Sequence, residues 1–326
     1  MQVADQRTTT PAPNDTHPPA RPARRPWVAR LKRDRWLLLF GLPGLLVILT
    51  FHYIPLLGNV IAFKDYQPYL GIQESPWNGL ANFAVIFNGD PAFLNALGNT
   101  LIITALQVVF VFPLPICLAL VLNSLLSDRL KRLVQSILYL PHFMSWVIVV
   151  AIFQQMLGNA GLISNWLLRN GHDAVHIIGN SDVFKELITA QVIWKDCGWG
   201  TILFLAALSH IDIQLYEASG VDGASRWRQL WHVTLPGIRP VIILLLILRL
   251  GDILTVGFEQ IVLQQQAVGT QVSEVLDTYV YNNGILAGNW GASAAVGLVK
   301  GLIGVALVLG ANKLAHIFGE KGIYQK

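Results

Sequence analysis

Six ionisable side chains stand inside long apolar runs: Lys195, Asp196, Arg249, Asp252, Glu259 and Lys300. A charge at bilayer depth is costly, so such groups face a bundle interior or a water-filled path. Arg249 and Asp252 are spaced i, i+3 and can pair on one helix face. Lys195 and Asp196, read as lying near the outer end of their run, could extend toward the interface. Lys300 is a cation early in an otherwise apolar run and has no such exit. A guanidinium fork matches a carboxylate, so Arg249, with Lys300, is a candidate to meet an acidic group. Trp194, Trp199 and Trp290 could stack on a ring, although an aromatic belt at the membrane interface is the simpler role. His172 and His176 have i, i+4 spacing, but they stand in a polar loop with no third ligand, which argues against a metal site. No Ser/His/Asp set or close carboxylate pair marks a catalytic centre, so no catalytic residue is assigned. No Gly-x-x-x-x-Gly-Lys-Ser/Thr loop is present to cradle phosphates.

The elements that position these residues are membrane spans. Of the 326 residues, 53% are hydrophobic and 13% are charged, against about 25% charge in a typical soluble domain. Mean hydropathy is +0.51. A helical span needs about 20 mostly apolar residues, and six runs meet that: 36–62, 101–123, 137–157, 187–208, 240–263 and 293–317. The two cysteines, Cys117 and Cys197, fall in apolar runs and make no disulfide framework. The expected fold is an all-α integral membrane protein of six transmembrane helices. Residues 1–35 form a disordered, basic tail, 36–317 the six-helix domain and 318–326 a C-terminal tail. The first run is too long for a signal-peptide core, and no small-residue cleavage site closes it.

Basic residues alternate along the chain. They crowd 1–35 and recur as Arg129, Lys131 and Arg132, as Arg226, Arg228 and Arg239, and as Lys313, Lys321 and Lys326. The intervening loops carry only Lys64, Arg169 and Lys185. Excess Lys and Arg marks the cytoplasmic side, so both termini are expected in the cytoplasm. Basic residues spread over alternate loops also speak against a nucleic-acid surface.

The cytoplasmic loop 209–239 is too long for a bare connection. Asp212 is a fitting N-cap for a helix over 213–220, which Gly220 and Gly223 can stop. A second short helix follows, with Trp227, Leu230, Trp231 and Thr234 on one stripe and Pro236 closing it. Two short helices under the membrane suit docking to a soluble partner.

This loop resembles that of the permeases of binding-protein-dependent ABC importers. Their pattern is Glu-Ala-Ala, three residues, Gly, nine residues, Ile, one residue, Leu-Pro. Here it stands as Glu217, Ala218, Ser219, Gly223, Val233, Leu235 and Pro236, departing only at Ser219 and Val233. Phe63-Lys64-Asp65-Tyr66, Tyr139-Leu140-Pro141-His142-Phe143, Trp194-Lys195-Asp196, Gly257-Phe258-Glu259-Gln260 and Asp277-Thr278-Tyr279-Val280-Tyr281 are similar to the branch importing complex oligosaccharides and polysaccharide fragments, alginate importers in particular. The resemblance covers about 36–326.

It implies a type I importer permease in the bacterial inner membrane, with a coupling helix carrying Glu217, Ala218, Ser219 and Gly223, followed by Leu235 and Pro236, seated on an ATPase. The implied partners are a second homologous permease, two ATP-binding subunits holding ATP and Mg²⁺, and an extracytoplasmic solute-binding protein. This chain would hold no cofactor and would not be an enzyme. The implied cargo is oligo- or polysaccharide, and the buried cations favour a uronate; neutral oligosaccharides are the alternative. An ion-coupled secondary carrier would use Asp252 and Glu259 as relays but has no reason to keep the 209–239 loop.

Overall fold

The computed structural model describes residues 34–125, 127–174, 176–317, 319 and 322. The expected tail at 1–35 lies outside these except for its last two residues, as does most of 318–326. Among the described residues the chain is helix and turn, with one isolated bridge between Lys64 and Trp77. Six helical stretches are long and apolar enough to cross a membrane: Arg35–Phe63, Pro91–Asn123, Trp146–Arg169, Phe184–Ser209, Arg226–Gly251 and Trp290–Ile317.

The chain divides into two compact units, 1–57 and 58–326. In the first, an α-helix over Arg35–Ile48 widens into a π turn at Leu49–Tyr53 and ends in Ile54–Leu57. Pro43 sits inside the helix without ending it, and the wide turn accommodates the missing N–H of Pro55.

In the second unit, the second, fourth, fifth and sixth spans share the core. Ala119, Phe204, Leu208 and Ile238 pack at one end. Ile103, Phe184, Ile188, Val256, Ile261 and Val275 pack toward the other. Two spans expected as continuous are broken. The expected 137–157 is an amphipathic helix over Asp128–Tyr139, a 3-10 turn over Leu140–Phe143 and a helix over Trp146–Leu157. That last helix alone covers about 18 Å, and with Leu162–Arg169, which follows it after a turn, it makes up the third crossing stretch. The broken segment runs antiparallel to the fourth span. A Cβ on Gly198 would collide with the Leu138 carbonyl, so only glycine permits this crossing.

The fifth span, expected at 240–263, ends at Gly251. Residues 252–257 are irregular, Gly257 turns the chain with φ 101°, and a separate helix follows over Phe258–Val268. Asp252 and Glu259 therefore lie beyond the fifth span rather than within it. Short helices also form at Leu162–Arg169, Thr270–Ser273 and Leu276–Val280.

Irregular backbone at membrane depth is tolerated only where protein satisfies its polar groups. The second span does this for 252–276. Thr104 donates to the Ile253 carbonyl (2.5 Å) and Gln107 to Val256 (3.4 Å). Asn99 donates to Gln271 (3.0 Å) and Glu274 (2.9 Å), and Thr100 accepts from the Leu276 N–H (2.9 Å). These four polar residues are buried because they satisfy backbone groups freed at the irregular stretches and short-helix ends of that segment.

Candidate functional site: coupling loop and translocation path

The loop begins as the sequence predicts and ends differently. Asp212 Oδ1 accepts from the Gln214 N–H (2.9 Å) and caps a helix over Ile213–Val221. The helix passes through Gly220. It stops at Gly223, whose φ of +73° is one that a Cβ disfavours. The Gly223 N–H donates to the Gly220 carbonyl and the Ala224 N–H to Ser219, the paired bonds of a Schellman stop. Ser225 caps the next helix.

Pro236 does not close that helix. A wide π turn at Leu230–Thr234 carries the chain into Leu235–Gly251, so the second short helix and the fifth span are one continuous element. The wide turn lets the helix pass a proline, which offers no N–H to an ordinary α turn.

Four side chains lock the two halves of the loop together. Tyr216 Oη bonds with Thr234 Oγ1 (3.0 Å). Gln229 Nε2 donates to the Tyr216 carbonyl (3.2 Å) and to Ser219 Oγ (3.0 Å). Ser219 is a departure from the Glu-Ala-Ala pattern, and its hydroxyl is used in this clamp. Trp227 and Trp231 meet edge to face and are largely exposed. Glu217 and Ala218 are exposed on the first helix, Leu235 is half-buried and Pro236 exposed. A hollow of about 360 Å³ separates this loop from the end of the second span, between Leu120–Ser124 and Trp227.

The candidate path residues divide into three places. Lys195 is buried in the middle of the fourth span rather than reaching an interface. Its ammonium donates to the carbonyls of His142 (2.8 Å) and Met144 (2.6 Å) and lies over the Trp146 ring. It thus satisfies the break in the third span. Asp196, next along, accepts from His142 Nδ1 at 2.9 Å, and both are partly exposed. His142 stacks face to face on Trp199, with ring centres 4.5 Å apart, and Phe143 meets Trp199 edge-on. Trp194 meets Phe153 edge-on. Trp199 thus forms a wall beside an Asp–His pair, with its other side exposed.

Arg249 does not pair with Asp252. It donates to Gln107 Oε1 on the second span, a neutral partner. Asp252 is exposed and lines a hollow of about 330 Å³ with Thr255, Asp277 and Lys300. Lys300 is ion-paired with Asp277, whose other oxygen is buried without a partner among the described residues. Glu259 is exposed.

Beside it, and missed from sequence, is a buried amide ladder. Gln260 donates to Gln191 (2.6 Å), Gln191 and Gln264 exchange bonds of 3.0–3.1 Å, and Gln260 also reaches the Ile188 carbonyl. Gln191 and Gln260 are fully buried. Amides in an apolar run mark such contacts, and the run Gln264–Gln266 is the sequence signal that could have located it. His172 and His176 take part in no metal-ligand cluster among the described residues.

Residues 111–318 match the family described as the binding-protein-dependent transport system inner membrane component. Protein LplB of Bacillus subtilis (strain 168) is 46% identical over 91% of this chain and 94% of its own length. The polygalacturonan/rhamnogalacturonan transport system permease protein YteP of the same organism is 46% identical over 92% and 94%. A chain in the crystal structure of a bacterial alginate ABC transporter, in complex with an alginate pentasaccharide-bound periplasmic protein, superposes with a TM-score of 0.82. It is 35% identical, over 92% of this chain and all of that one. Permeases of this class are not enzymes, and ATP is hydrolysed by a separate subunit. The chain belongs to the inner-membrane components of binding-protein-dependent transport systems, as a permease of the ABC class.

Proposed function

We propose that this chain forms half of the translocation path of a bacterial importer for acidic oligo- or polysaccharide, with uronate fragments as cargo. The observation that carries the acidic reading is Arg249. Its charge stands near the end of the fifth span, hydrogen-bonded to a neutral amide with most of its donors uncommitted, and within electrostatic reach of the Asp252 and Asp196 carboxylates. The names of the polygalacturonan/rhamnogalacturonan relative and of the alginate transporter support the same cargo class. Neutral oligosaccharide is the second reading, favoured by the Asp277 carboxylate that neutralises Lys300.

In the proposed assembly a second homologous permease completes the path. Glu217, Ala218, Ser219 and Gly223 seat the loop on one of two ATPase subunits, which hold ATP and Mg²⁺. The basic residues of alternate loops support a cytoplasmic location for both termini and for the 209–239 loop. Closure of the ATPase pair moves the loop, and the Tyr216–Thr234–Gln229–Ser219 clamp passes that movement into the fifth span, because loop and span are one element. Trp194, Asp196 and Trp199 with His142 on one side, and Arg249, Asp252 and Lys300 on the other, line the path. Exposed ionisable groups at that depth are disfavoured against lipid.

The test is ATPase activity of the reconstituted complex with its binding protein, across uronate and neutral oligomers. Stimulation by uronates, reduced by Arg249→Gln, supports the proposal. Stimulation by neutral oligomers alone overturns the acidic reading.

A further inference from the structure

The second, fourth and sixth spans begin on the same face, opposite the 209–225 loop. On that face the segment 64–90 folds against the start of the sixth span and leaves a cleft of about 290 Å³. Lys64, Asp65, Tyr66, Asp90, Asn283 and Trp290 are among the residues that line it, with Tyr66 edge-on to Trp290.

The cleft is preorganised. Asn82 donates to the carbonyls of Ala62 (3.0 Å) and Lys64 (2.8 Å). The Lys64 ammonium is committed elsewhere: it donates to the carbonyls of Ile72 (2.6 Å), Gln73 (3.3 Å) and Ser75 (3.2 Å) and lies over the Trp77 ring. Asp90 caps the second span through the Phe93 N–H (2.8 Å). The Asp65 carboxylate has no partner among the described residues. Burial, helped by the charges of Asp90 and Glu274, pushes the neighbouring Tyr279 phenol above its ordinary range. With the Lys64 ammonium held by the 72–75 carbonyls, the two carboxylates outnumber the one cation of a cleft that has an aromatic wall. Around it Tyr69, Trp77, Leu80 and Phe87 expose most of their side chains outside the spans.

We propose that this cleft is the socket for a basic side chain, Arg or Lys, of the extracytoplasmic binding protein. Two carboxylates and an indole face are the complement of a cation. The apolar rim is the surface such an anchor buries around itself. A uronate cargo would be repelled here, which separates this cleft from the path. The proposal rests on the orientation given above, which is tested separately by impermeant labelling of Tyr69→Cys in a background lacking Cys117 and Cys197.

The test measures binding-protein affinity for the complex in nanodiscs at several salt concentrations, without saccharide stimulation as a readout. Asp65→Asn is expected to raise Kd about ten-fold and to flatten its salt dependence, and Asp65→Lys to raise it further. Trp290→Leu is expected to weaken binding without changing the salt slope. Values within two-fold of wild type for both Asp65 variants, in complexes that still co-purify with their ATPase, overturn the proposal. If docking affinity is unchanged and a separate transport assay of the same variants shows a raised KM for saccharide, the proposal is overturned and the cleft is a sugar subsite.

Discussion

Lys195, at the middle of the fourth span, places its ammonium 2.6 Å from the Met144 carbonyl, inside the break of the third span. The cation and the break explain each other. A helix interrupted at bilayer depth frees carbonyls that lipid cannot satisfy, and a lysine at that depth has nowhere to leave its charge.

Replacing Lys195 by Met should therefore act on folding before transport. It strands the carbonyls of His142 and Met144, at about 1–3 kcal/mol each for unsatisfied buried groups. The expected outcome is a sharp fall in assembled complex and in its thermal inactivation temperature, with partial recovery in Lys195→Arg. Normal assembly with altered cargo preference would return Lys195 to a role in the path.

Lys300 and Asp277 call for a double-mutant cycle. Lys300→Met leaves a partly buried carboxylate uncompensated, costing about 1–3 kcal/mol. Lys300→Met with Asp277→Asn should restore much of the assembly, since neither charge is then left alone. Uptake by the double variant decides the rest. Near-normal transport makes the pair structural, whereas an assembled but inactive complex places it in the path.

Gly223 is expected to be sensitive through its backbone alone. At φ +73° an alanine costs about 1–2 kcal/mol, and the alternative is a helix that overruns its stop. Gly223→Ala should weaken co-purification of the ATPase subunit and uncouple ATP hydrolysis from saccharide. Gly223→Asn should be milder, because asparagine tolerates this conformation. Equal ATPase capture by both variants and wild type would remove the loop from the coupling interface.

Ser219→Ala restores the Glu-Ala-Ala pattern and removes one of the two acceptors of Gln229. Gln229 keeps the Tyr216 carbonyl, so the cost is about 1 kcal/mol or less and transport should stay close to wild type. Gln229→Ala removes both links and should lower coupled ATPase activity more than Ser219→Ala does. The comparison is read from stimulated ATPase rates of the two variants.

Much of this protein is written in local features of its sequence. Apolar length sets the number of spans, and Asp212, Gly223 and the Glu217-to-Pro236 spacing define the coupling loop, because caps, turns and hydropathy depend on residues a few positions apart. Other features depend on partners far along the chain. Hydropathy averages over a window and reads 137–157 and 240–263 as continuous helices. The breaks at 140–145 and 252–257 exist because Lys195, Thr104 and Gln107 lie alongside to satisfy the freed backbone groups. The same distance in sequence hid the fate of the charges. Arg249 has its acidic neighbour Asp252 three residues away but takes Gln107, 142 residues away, and Lys300 finds Asp277. In a bundle, the group that neutralises or solvates a buried charge is whichever one packing brings into reach, and only the tertiary structure decides that.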